Sequence, residues 1–167
     1  AAAAAELSRS ACARLLEHDV FGAAVHIVAY SPVGNEVDPR GLVDAARLAG
    51  RPVYYPRRTG TTLEFLRADP ATLRPGSGGL LEPTHGDRPP EDATAVLFLI
   101  PGVAFDPRGV RLGRGAGCYD RALTRFTKAR LVGLAYHFQV VPFLPEASWD
   151  VRMHAVVTDA RLLECAD

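Results

Sequence analysis

The chain has 167 residues, 48% hydrophobic and 23% charged, the proportions of an ordinary soluble domain large enough for one proper core. Its 19 Lys and Arg are balanced by 19 Asp and Glu, which argues against a nucleic-acid partner, because such proteins carry a basic excess to offset phosphates. No apolar stretch is long enough to cross a membrane, and neither the cysteines nor the histidines show disulfide or zinc-ligand spacing, so a reducing cytoplasm is expected.

Ser8 to His18 places Ala11, Leu15 and Leu16 at helical spacing, while Ala1 to Ala5 lacks the basic start and apolar core of a signal peptide. Ala24 to Tyr30 is β-branched and aromatic and runs into the loop signal Ser31 to Asn35, which predicts a first buried strand. Asp38-Pro39 supplies an N-cap followed by proline at the first helical position. Leu42, Val43, Ala46 and Leu48 continue that helix, and Gly50 stops it. Pro52 to Pro56 and Leu63 to Leu66 predict two more strands. Asp69 to Pro90, rich in proline and glycine and without period, predicts a long loop.

Ala95 to Ile100 is the most convincing buried strand. A loop from Pro101 to Gly117 follows it, then a helix over Tyr119 to Phe126 with Leu123 and Phe126 facing inward. Leu131 to Tyr136 predicts a further strand, and His154 to Thr158 is expected to close the sheet. Strands separated by helices predict one α/β domain over residues 1–167, a three-layer α/β/α arrangement with a mostly parallel sheet.

Ligands of open α/β sheets gather at the carboxyl ends of strands, so the segment leaving the best strand is the one to read for chemistry. It carries Gly113, Gly115 and Gly117 in alternation, with Arg111, Arg114 and Arg121 among them, and it runs into a helix. Glycines let backbone N–H groups approach an anion, a helix start adds partial positive charge, and arginines fork onto phosphate oxygens. The Walker pattern is absent, and Gly-x-Gly-x-Gly late in the chain is not the Rossmann fingerprint. By spacing alone, a plain glycine-rich connector with solvated arginines is an equal alternative.

The wider pattern is more specific. Pro101-Gly102-x-Ala104-Phe105-Asp106, followed by Gly109-x-Arg111-Leu112-Gly113-x-Gly115-x-Gly117-x-Tyr119-Asp120-Arg121, resembles the signature of 5-formyltetrahydrofolate cyclo-ligases, also called 5,10-methenyltetrahydrofolate synthetases. Tyr30-x-Pro32 with Glu36-Val37-Asp38, Tyr55-Pro56-Arg57, Gly79 with Glu82-Pro83, Tyr136 with Gln139, Leu144-Pro145, Asp150 and Val157-Thr158 follow the family in order. The resemblance spans Ser8 to Thr158, and it implies the sheet shared with ribose-phosphate isomerases and CoA transferases.

The resemblance implies ATP-dependent ring closure of 5-formyltetrahydrofolate with Mg²⁺, in a monomer whose partners are small molecules. It implies that Arg111, Leu112, Gly113, Arg114, Gly115, Ala116, Gly117, Cys118 and Tyr119 hold ATP, with Arg114 and Arg111 neutralising the transferred group. Asp120 and Asp150 match metal ligands. Glu36, Ser31 and Tyr30 match the folate pocket, which Arg114 and Tyr119 also border. Each has a plainer reading. Asp120 suits a helix start, Asp106 a turn, Phe105 and Tyr119 the core, Glu36 a solvated loop, and His26 a structural role. Trp149 either covers the folate or packs. An alternative is a non-catalytic folate- or nucleotide-binding relative, and a sugar-phosphate or acyl-transfer enzyme ranks last, since no nucleophile and base arrangement is legible. Family members begin with a helix bearing Lys-x-x-x-Arg, and nothing before Ser8 supplies it, so that helix is expected to be missing. Cys118, where an aromatic is common, is expected to alter packing only.

Overall fold

The computed structural model describes residues 1–166. Its elements are α1 (Ala2–Leu16), α2 (Asp19–Gly22), β1 (His26–Val28), α3 (Arg40–Leu48), β2 (Val53–Thr59), β3 (Thr62–Arg67), β4 (Arg74–Pro75) and β5 (Leu81–Glu82). They continue with β6 (Val96–Ile100), β7 (Ala104–Phe105), β8 (Arg111–Leu112), α4 (Cys118–Leu123), β9 (Arg130–Leu134), β10 (Ala155–Val157) and β11 (Leu162–Glu164).

Seven strands form one sheet in the order β11-β10-β9-β6-β1-β2-β3. The five inner strands are parallel, and β3 and β11 pair antiparallel on the two edges. The pleat then divides the strand side chains between two cores. Ile27, Leu97, Leu99, Val132 and Val157 pack with Ala11 and Leu15 of α1 and Leu42 and Ala46 of α3. Val28, Val96, Phe98, Ile100, Leu131 and Val156 pack with Ala122, Leu123 and Phe126 on the α4 side. β6 is buried at all five positions because it has a core on each face, which is why it reads as an uninterrupted apolar run. Phe98 meets Phe126 and Phe65 edge-on at 4.8 and 5.0 Å between centroids.

The first strand, the helix after Asp38-Pro39 and the inward Leu123 and Phe126 match expectation. Asp38 Oδ1 accepts from Arg40 N at 3.0 Å, and Gly50 leaves the helix at φ +73°. His26 is structural, its Nδ1 hydrogen-bonded to the Tyr54 hydroxyl at 2.8 Å.

Three expectations need correction. His154 to Thr158 does not close the sheet, because β11 adds an antiparallel edge beyond β10. The stretch from Asp69 to Pro90 is not all loop, since β4 and β5 form a small hairpin there. The stretch from Pro101 to Gly117 holds a second hairpin, β7 with β8. Two-residue strands carry too little periodicity to be read from a sequence. At the N-terminus α1 begins at Ala2, has no lysine, and uses Arg14 to donate to the carbonyls of Thr158 and Asp159. Among the described residues no helix is long and apolar enough to cross a membrane.

Candidate active site

β1, β6 and β9 lie side by side and parallel, so the loops that leave them emerge on the same edge of the sheet. The loop after β1 is folded on itself. Tyr30 is buried beneath it with its hydroxyl donating to the Val37 carbonyl, and Glu36 Oε2 accepts from Val33 N at 2.9 Å. Burial pushes the Tyr30 hydroxyl pKa well above its usual value, with Glu36 adding to the effect, so it stays protonated and keeps that bond. The Tyr30 hydroxyl is therefore already engaged beneath the loop that Tyr30 was expected to contribute to the folate pocket. Ser31 is half-buried where that loop begins.

The segment after β6 is anchored by Phe105. A Cβ at Gly133 of β9 would stand 2.5 Å from the Phe105 ring, and one at Gly102 would stand 2.8 Å away, so both glycines are required for the ring to lie on the sheet. The next residue, Asp106, is completely buried. Its carboxylate accepts from the backbone of Arg108, Val110 and Leu144 and from the Arg108 guanidinium at 2.7 Å. Asp106 does form the expected turn. It also binds the loop after β9 to the loop after β6, which a turn motif alone does not announce. Burial opposes its ionisation, but those donors outweigh it and hold its pKa below the ordinary carboxylate value. Gln139 adds a second tie, donating Nε2 to the carbonyls of Gly102 and Val103.

The two expected catalytic arginines sit in different environments. The Arg111 side chain is only 7% exposed, while that of Arg114 is 60% exposed. Arg111 lies under the glycine turn, 5.2 Å from the Tyr119 ring and 2.9 Å from where a Gly113 Cβ would be. Its Nη1 donates to the Pro101 carbonyl at 3.2 Å, its Nη2 is 4.0 Å from Asp120 Oδ2, and its buried Nε has no hydrogen-bond partner among the described residues. That position makes Arg111 a buried positive charge beneath the loop. Arg114 projects from the loop, and its Nη2 donates to Glu36 Oε1 at 3.1 Å.

Gly115 and Gly117 have φ of +97° and +67°, where a side chain is strained, and the space above Gly115 is open. Arg121 fixes the loop from outside by donating Nη1 to the carbonyls of Ala116 and Thr61. Thr61 lies in the β2–β3 turn, 60 residues away, and no sequence pattern points to that contact. Leu112 and Ala116 are exposed, while Cys118 is half-buried against the α4-side core, as a packing residue would be. Burial raises the Tyr119 hydroxyl pKa although Arg111 opposes this, so Tyr119 is a neutral donor and acceptor beside Arg111.

The two acids expected to bind metal are both engaged on one oxygen. Asp120 Oδ1 accepts from Val151 N at 3.0 Å, and Asp150 Oδ2 accepts from Ala147 N at 2.8 Å. The first of these bonds brings the segment carrying Asp150 against α4. Among the described residues no three His, Cys, Asp or Glu side chains gather as a metal cluster.

Residues 1–159 match the model of the 5-formyltetrahydrofolate cyclo-ligase family, a span that contains every residue of this site. The chain is 30% identical over 172 residues to the 5-formyltetrahydrofolate cyclo-ligase of Escherichia coli K12, covering 95% of this chain and 91% of that one. It is 34% identical over 142 residues to the enzyme of the same name from Haemophilus influenzae, covering 80% and 75%. In three dimensions it resembles the Aquifex aeolicus 5,10-methenyltetrahydrofolate synthetase with a TM-score of 0.81 at 33% identity, covering 98% of this chain and 83% of that one. A 5,10-methenyltetrahydrofolate synthetase from Mycoplasma pneumoniae gives a TM-score of 0.70 at 26% identity, covering 93% and 87%.

Proposed function

The chain belongs to the 5-formyltetrahydrofolate cyclo-ligase family, and from that premise we propose that it cyclises 5-formyltetrahydrofolate to 5,10-methenyltetrahydrofolate at the expense of ATP. The observation that supports this site is the Glu36–Arg114 bond, which joins the loop after β1 to the glycine loop. A folate acid and a phosphate arginine in contact are what a phosphoryl transfer onto a folate oxygen requires.

The chemistry explains the residues. A formamide oxygen is a poor leaving group. In the first step that oxygen attacks the γ-phosphorus, the bond to the β-phosphate bridging oxygen breaks, and ADP leaves. In the second step N10 attacks the activated formyl carbon and loses its proton, the carbon–oxygen bond breaks, and phosphate departs. The protein's share is to position the reactants and to offset charge. Backbone N–H groups from Gly113 to Tyr119 approach the phosphates, Arg111 supplies buried positive charge from below, and Arg114 neutralises the transferred group from above. Glu36 accepts hydrogen bonds from pterin N–H groups once Arg114 turns to the phosphate. Ser31 borders the same pocket.

Asp150 keeps one oxygen free of hydrogen bonds and Asp120 Oδ2 has the Arg111 guanidinium only at 4.0 Å, so these two carboxylates would be the ones to hold a Mg²⁺ ion, which takes one or two carboxylates plus phosphate oxygens. The ion would neutralise charge shared between the β- and γ-phosphates. The same reading makes the protein a cytoplasmic monomer acting on small molecules, with neither nucleic acid nor membrane as partner. Its three unpaired thiols agree with a reducing compartment.

The test is formation of methenyl-folate, followed by its near-ultraviolet absorbance, from 5-formyltetrahydrofolate with Mg-ATP. Turnover that disappears without ATP and in Arg114→Ala is the expected result. A folded protein that binds folate without turnover would overturn the reading in favour of a non-catalytic relative.

A further inference from the structure

Trp149 is the single tryptophan of the chain and lies 74% exposed. A free-standing indole wastes one of the largest apolar surfaces a side chain offers, so its setting asks for a ligand. The setting is rigid. Asp150 N donates to the Ala147 carbonyl at 3.1 Å, Ala147 N donates to Asp150 Oδ2 at 2.8 Å, and Val151 N donates to Asp120 Oδ1. Trp149 is therefore presented on a closed turn moored to α4.

Trp149 faces a cleft of about 240 Å³ whose other lining residues are Gly117, Asp120, Arg121 and Thr124. Their spacing of three, one and three places them on one stripe of α4 and its two caps. Gly117 and Asp120 also belong to the phosphate loop and the metal pair, so the cleft continues directly from the phosphate cradle. Arg121 donates Nη1 to the carbonyls of Ala116 and Thr61, which holds its stem along the floor of this cleft. An exposed aromatic plate beside a largely apolar cleft that borders the phosphate loop suits a flat ring joined to an oligophosphate.

We propose that Trp149 and the outer stripe of α4 form the subsite for the purine base of the nucleotide, with the base stacked on the indole. The assignment rests on the ATP-dependent reading above and goes beyond it by assigning residues outside the glycine loop to the base.

The lone tryptophan makes the test direct. Tryptophan fluorescence, excited where adenine does not absorb, is followed during titration of the full chain with Mg-ADP, with calorimetry in parallel for Mg-ADP and for inorganic tripolyphosphate. The fluorescence change should saturate with the calorimetric midpoint. Trp149→Ala should weaken ADP about tenfold, in line with base–aromatic stacking, leave tripolyphosphate affinity unchanged, and recover in Trp149→Phe. An exposed side chain leaves the fold intact when truncated, which circular dichroism checks. ADP binding with silent fluorescence, a response to 5-formyltetrahydrofolate alone, or a response to protein concentration alone would each overturn the base subsite while leaving the cyclo-ligase reading in place. Absence of any nucleotide binding by calorimetry overturns both.

Discussion

Glu36 accepts a hydrogen bond from Arg114 at 3.1 Å across 78 residues of chain, and the proposed function gives each of the two a further task once ligands arrive. On that proposal the pair would couple the two halves of the pocket, because a guanidinium that left Glu36 for a phosphate would free a carboxylate oxygen for the folate. Arg114→Ala is therefore expected to lower turnover roughly 10³-fold, by analogy with arginine fingers. Its melting temperature should be nearly unchanged, since the side chain is largely exposed. Glu36→Gln should act mainly on the KM for 5-formyltetrahydrofolate. Steady-state kinetics on the two single variants and the double variant check this, and the losses should be less than additive.

Asp106 makes a prediction about stability. It is fully buried and accepts from three backbone N–H groups and one guanidinium. Asp106→Asn keeps the shape but weakens the buried acceptor of three backbone N–H groups, while Arg108, part-exposed, retains Glu146 at 3.5 Å, so the cost should be on the order of 1–3 kcal/mol in a denaturant titration. The wild type should also show an acid limb. Because the folded pKa is depressed, the contribution is complete above the unfolded carboxylate value of about 3.9. It is lost as pH falls from there through the folded pKa. In Asp106→Asn that limb should be shallower.

How far the sequence carries the structure follows from where each signal lies. β6 and β9 were legible because burial on both faces writes a continuous apolar run, and the Asp38 cap was legible because its partner is two residues away. The hairpin of β7 and β8 was not, because two residues per strand carry no period. The glycine loop announced its composition but not the opposite settings of its arginines. Arg111 is buried by the approach of Tyr119 and Gly113, and Arg114 is exposed by its place at the turn, and neither fact is local. Tyr30 looked like a pocket residue, and only the fold shows its hydroxyl committed to Val37.

Gly133→Ala tests the seating of the whole segment after β6. The new methyl would have to occupy space 2.5 Å from the Phe105 ring, so the ring must leave the sheet and carry the β7–β8 hairpin with it. Overpacking of this kind should cost about 1–3 kcal/mol. It should also reduce ATP affinity, although Gly133 touches no proposed ligand. A variant that melts lower but binds Mg-ADP unchanged would separate the glycine loop from its Phe105 anchor.

The three thiols should differ in reactivity, and one of them should shape the alkaline limit of stability. Cys12 is buried between α1 and α3, and burial, with a smaller push from Asp38, raises its pKa to about 11. A thiol-specific reagent at mildly alkaline pH should therefore reach Cys12 only on the timescale of unfolding. In the unfolded chain the same thiol titrates near about 8.5, so ionisation above that pH stabilises the unfolded state while the folded thiol stays protonated. The contribution of Cys12 is complete below about pH 8.5 and declines by about 1.4 kcal/mol per pH unit as pH rises toward 11, the folded value. Cys12→Ala should flatten that decline at the expense of a lower plateau near neutrality, because it also removes a packed sulfur. Urea midpoints measured from pH 7 to 10 on both proteins check it, and parallel curves would exclude Cys12 as the group that titrates.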